Sequence, residues 1–92
     1  MTAMHGEMTW SSLRRELEAL AASVAAEILS YPRPITACDA QFNHLLELRR
    51  LVPLQLERLD AAAGDPDATI EAFVALSPLR GELAARTPAG EV

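Results

Sequence analysis

Residues 30–43, SYPRPITACDAQFN, gather the side chains best suited to chemistry: Tyr31, Arg33, Cys38, Asp39, Gln41 and Asn43, set around two prolines. A thiol near a helix N-terminus is acidified by the helix dipole, so Cys38 is the one nucleophile worth weighing. Its spacing from Phe42 and Leu45 instead places it at the start of an apolar stripe, where a cysteine packs as a small inert hydrophobe. The second is the favoured expectation. The first implies a pocket at this corner, with Tyr31, Arg33, Cys38 and Asn43 around a small anion and fast alkylation of Cys38.

Metal chemistry finds no ligand set. Ligands on one helix sit three or four residues apart, whereas Cys38 and His44 are six apart and diverge by about 120° around the axis. His5 stands alone in the first residues, and His44 with Glu47 reads as a modest surface pair. The expectation is no metal and no cofactor. Glu16 with Glu18, and Asp65 with Asp67, look like solvated helix faces and helix starts rather than a general acid and base. The four glycines are scattered, so no phosphate-binding loop is present.

The composition sets the scaffold. The chain has 92 residues, half of them apolar but with only four aromatics, Trp10, Tyr31, Phe42 and Phe73. A core of Leu, Val, Ile and Ala suits packed helices, and at this length it is thin enough to favour burial against another chain. The net charge is −5, and all eight basic residues are Arg. Nucleic-acid and anionic-membrane binding both depend on basic charge, so neither is expected. Arg14-Arg15 and Arg49-Arg50 do not reverse this, because adjacent helical residues point about 100° apart. A helix-turn-helix DNA reader also fits poorly, as SYPRPIT is long and proline-laden for that turn. One cysteine suits a reducing cytoplasm, and the Arg-only, Ala-rich usage suits a GC-rich bacterial genome. MTAMHGEMTW has neither the basic region nor the apolar core of a signal peptide, and ALAASVAAEIL is too short to span a bilayer.

Helical periodicity begins at Trp10. Trp10, Leu13, Leu17, Leu20, Val24, Ile28 and Tyr31 fall within an arc of roughly 80°, with Thr9 placed to cap the helix. The opposite side carries Ala19, Ala22 and Ala26 flanked by Ser12, Ser23 and Ser30, and no charge lies between Glu18 and Glu27. Either a second helix packs closely there or alanine serves as a helix former on an exposed face. Pro32 and Pro34 end this helix. Thr36 is the expected N-cap of a second, residues 37–63, with Cys38, Phe42, Leu45, Leu48, Val52, Leu56 and Leu59 on one face and a kink expected near Pro53. Leu51 and Leu54 point off that face. Gly64 predicts a stop, and Asp65 as N-cap, Pro66 at the first helical position and Asp67 in the first turn predict a new helix carrying Ile70, Phe73 and Val74. Ser77-Pro78 predicts a last short helix with Leu79 and Leu83, weakened by Gly81.

The expected fold is all-α: a long antiparallel helical hairpin, residues 9–30 and 37–63, with one or two short C-terminal helices, assembling as a homodimer around a four-helix core. Residues 9–86 form the expected domain, between flexible tails at 1–8 and 87–92. The expected function is a non-enzymatic interaction module, a small acidic adaptor, regulator or chaperone-like subunit. Trp10, Leu17, Ala19, Ala22, Ala26, Leu51 and Leu54 are the candidate interface, and Tyr31, Arg33, Cys38, Gln41 and Asn43 the candidate corner contacts. The pocket at the Tyr31–Asn43 corner is the alternative.

Overall fold

A computed structural model describes residues 8–86. The expected tails, apart from Met8, and His5 lie outside the described residues. Four helices follow in order, α1 (Trp10–Leu29), α2 (Ala40–Ala63), α3 (Ile70–Leu76) and α4 (Arg80–Arg86), and the described residues contain no strand.

α1 starts where its cap chemistry places it. The Thr9 hydroxyl accepts from the Ser12 N–H at 3.0 Å, and the Ser12 hydroxyl accepts from the Thr9 N–H at 2.9 Å. This reciprocal box satisfies donors that the first turn of a helix leaves unpaired. At the other end, Ser30 bonds back to the Ala26 carbonyl through both its N–H and its hydroxyl, and Pro32 follows. Leu13, Leu17, Leu20 and Val24 are buried on one face, with Trp10, Ile28 and Tyr31 extending the stripe as half-buried neighbours.

α2 begins three residues later than the Thr36 cap would set it. Asp39 is the N-cap, its carboxylate accepting from the Phe42 N–H at 3.0 Å. Thr36 closes only one turn, its carbonyl accepting from the Asp39 N–H. Cys38 therefore lies ahead of the helix and is exposed, not buried on the stripe. Leu45, Leu48, Val52 and Leu59 are buried, and these pack against the α1 stripe. The helix is unbroken through Pro53. Pro53 and Arg49 are both exposed, so water can serve the Arg49 carbonyl that the proline cannot bond.

Contacts at each end relate the two long helices. Near the start of α1, Arg14 bonds Asp60 near the end of α2 at 2.8 Å. Just beyond α1, the Tyr31 ring lies 4.9 Å from that of Phe42 at the start of α2.

The C-terminal helices close the core. Asp65 does not cap α3: its side chain accepts from the Asp67 N–H within a turn, and Thr69 takes the cap, accepting from the Ala72 N–H. Phe73 of α3 meets Trp10 edge to face at 5.9 Å. Leu79, just ahead of α4, and Leu83 within it complete the buried set. Burying each such leucine is worth about 1.5–3 kcal/mol, which holds α4, a helix too short to persist alone.

One polar side chain sits in this apolar interior. Gln55 is 3% exposed and occupies the stripe between Val52 and Leu59. Its Oε1 accepts from the Ser77 hydroxyl at 3.1 Å, and the same Ser77 oxygen accepts from the Leu79 N–H at 3.0 Å. The pair ties the middle of α2 to the entry of α4.

Candidate functional site

The corner between α1 and α2 is built around Tyr31 and Asp39. Tyr31 donates its hydroxyl to Asp39 Oδ1 at 2.8 Å, the oxygen that also receives the Phe42 N–H. These donors hold the Asp39 carboxyl below its ordinary pKa, the backbone N–H contributing most and the phenol next. The hydrogen bond to Asp39 in turn holds the Tyr31 phenol above its ordinary value, with partial desolvation and the carboxylate charge acting in the same direction. Such a phenol stays neutral and donating, so the pair fastens the corner rather than supplying a base.

The remaining corner residues do not converge. Asn43 donates to the Ala37 carbonyl at 3.1 Å, and the Cys38 sulfur lies 3.8 Å from the Thr36 hydroxyl. Arg33 is exposed and, among the described residues, forms no ion pair. An open depression of about 220 Å³ lies nearby, lined by Glu27, Ser30, Tyr31, Pro32, Gln41 and Leu45. It includes Tyr31 and Gln41 but not Arg33, Cys38 or Asn43, and its one charged side chain, Glu27, is acidic.

Ionisable groups elsewhere make surface pairs. His44 Nε2 lies 3.2 Å from Glu82 Oε1, joining α2 to α4, and Glu47 is held below its ordinary pKa by its hydrogen bond from Arg50. Among the described residues, no three His, Cys, Asp or Glu side chains converge as metal ligands. No helix in the described residues is long and apolar enough to cross a membrane.

The candidate interface residues fall into two groups. Leu17 is 1% exposed within the chain's own core, and Trp10 and Leu51 are half-buried against that core. Ala19, Ala22 and Ala26 are exposed on the far side of α1, as is Ala25, and Leu29 at the end of this face is 81% exposed. Leu54 is 44% exposed on α2. It sits on its helix among Glu47, Arg50 and Arg58, with half-buried Leu51 three residues before it. Gln55 is the structurally consequential residue that residue-type reasoning passes over. Its signal is positional, a polar side chain in the 3–4 step of Leu45, Leu48, Val52 and Leu59.

No protein-family model, curated protein or solved structure matches this chain.

Proposed function

We propose that this chain is a non-enzymatic helical interaction module, in which α1 and α2 form a long antiparallel hairpin and two copies associate through it as a homodimer. The end-to-end contacts of Arg14 with Asp60 and of Tyr31 with Phe42 support the hairpin. The observation that carries the interaction reading is the far face of α1. From Ala19 to Leu29 that face bears no charge and is exposed, whereas the solvent side of an isolated amphipathic helix is normally charged. The assembled pair would serve as a small acidic adaptor, regulator or chaperone-like subunit.

Sedimentation equilibrium tests the reading. The chain mass is 10.0 kDa. The wild type is expected to weigh twice that at high concentration, and Ala22→Glu to weigh one chain while keeping its helical circular dichroism. A wild type at single-chain mass throughout, or an Ala22→Glu variant that still dimerises, would overturn it.

A further inference from the structure

We propose that α3 and α4 form a hinged cap, which lifts from the packed α1–α2 pair as one unit, pivots on residues 64–69 and is held shut by the hydrogen bond between Gln55 and Ser77. This opening belongs to the single chain and does not require self-association.

Burial divides the chain unevenly. Leu13, Leu17, Leu20 and Val24 of α1 meet Leu45, Leu48, Val52 and Leu59 of α2 in the core, whereas α3 contributes no buried residue and α4 contributes Leu83, with Leu79 just ahead of it. Apolar stabilisation follows the area removed from water, so parting the cap forfeits far less than parting α1 from α2. Once lifted, helices of seven residues do not persist, and the conformational entropy their chain regains favours the open state further. α3 packs on α4, and the turns that run from the Val74 carbonyl through Ser77 to the Arg80 N–H join them, so the two leave together.

The latch and the hinge sit where this opening needs them. Gln55 lies buried in the apolar stripe of α2, and Ser77, between α3 and α4, donates to its amide oxygen at 3.1 Å. When the cap lifts, water replaces Ser77 at the amide, so breaking the bond loses only its modest net worth. A leucine at this position would have no such compensation. The second polar tie, His44 Nε2 to Glu82 Oε1, is a surface pair with the His44 side chain 59% exposed, and it adds little. At the hinge, Gly64, Asp65, Pro66, Asp67 and Thr69 are exposed, and the backbone N–H groups of Gly64, Asp65 and Ala68 all close local turns. Swinging the cap on this link breaks none of them.

Native-state hydrogen exchange of the full-length chain in low urea reads the opening. The N–H groups of Phe73, Ser77 and Leu83, bonded to the Thr69, Val74 and Leu79 carbonyls, report the cap, and those of Leu20 and Val52 report the α1–α2 pair. Cap amides should be protected about a hundredfold less than the others. They should also share one urea dependence, smaller than that of Leu20 and Val52 but not zero, since urea sensitivity measures the surface exposed. Ser77→Ala should lower cap protection about tenfold. Tyr31→Ala removes contacts with Asp39 and Phe42 that persist in the open chain, so it should lower the protection of Leu20 and Val52 and leave that of the cap within about twofold. A single protection and urea dependence for all these amides, cap amides insensitive to urea, or Tyr31→Ala lowering cap protection as much as that of Leu20 would overturn the hinged cap. Unchanged cap protection in Ser77→Ala would overturn the latch.

Discussion

The two sides of α1 are made from the same helix and put to opposite ends. On one side Leu13, Leu17, Leu20 and Val24 are each 3% exposed or less, and their surface is consumed by the fold. On the other, Ala19, Ala22, Ala25 and Ala26 remain in solvent with Leu29. The difference teaches that an apolar pattern marks two things: large side chains in a stripe show where the chain folds, and an uncharged run of small ones shows a surface the fold has left open. Substitutions on the two sides should therefore separate stability from association.

Leu17→Ala is expected to have the largest effect, lowering unfolding free energy in urea by about 2–5 kcal/mol through lost burial and a residual cavity. A loss comparable to that of an exposed alanine change would break the distinction between the faces.

Gln55→Ala comes next. It strips the Ser77 hydroxyl of its buried partner, at a cost of about 1–3 kcal/mol. Gln55→Leu combined with Ser77→Ala should recover part of that loss, since the stripe position itself accepts an apolar side chain. A double-mutant cycle with no coupling would show that the two residues act independently.

The corner contributes a pH-dependent component. Asp39 has a lowered folded pKa, so its contribution is fully present above the ordinary carboxylate value and is lost as pH falls through the lower folded value. Tyr31→Phe removes one donor and should move the Asp39 titration upward toward the ordinary value, read from its side-chain carboxyl chemical shift. An unmoved titration would mean that the phenol does not act on Asp39.

The smallest effect belongs to Arg14→Ala. Arg14 and Asp60 pair at 2.8 Å, but their side chains are 41% and 58% exposed, so the loss should stay below about 1 kcal/mol and shrink with added salt.

Much of the fold is legible in the residues, and the failures have a common cause. The two apolar stripes identify α1 and α2, and the Thr9 cap and Pro32 bound α1. The starts of α2 and α3 are displaced because a cap-like residue satisfies local N–H groups equally well in a single turn. Thr36 and Asp65 close such turns, and the helices are instead capped by Asp39 and Thr69 and begin at Ala40 and Ile70. Cys38 loses its buried place through this shift alone. Gln55 escapes notice because its partner, Ser77, is 22 residues away, and a polar residue on an apolar stripe cannot be assigned until that partner is placed. At the corner, Tyr31 and Asp39 bond each other, while Cys38 and Asn43, which spacing groups with them, lie against Thr36 and Ala37, and Arg33 is exposed.

The two-sided account of α1 is tested most directly by the unfolding midpoint as a function of protein concentration, for the wild type beside Ala22→Glu. A dimer gains stability by mass action, so the wild-type midpoint should rise with concentration. The Ala22→Glu midpoint should stay flat and coincide with that of the dilute wild type, because an exposed substitution leaves the monomer fold within about 0.5 kcal/mol. A wild-type midpoint independent of concentration, or an Ala22→Glu chain that is itself unfolded, would contradict the assignment of folding to one face and association to the other.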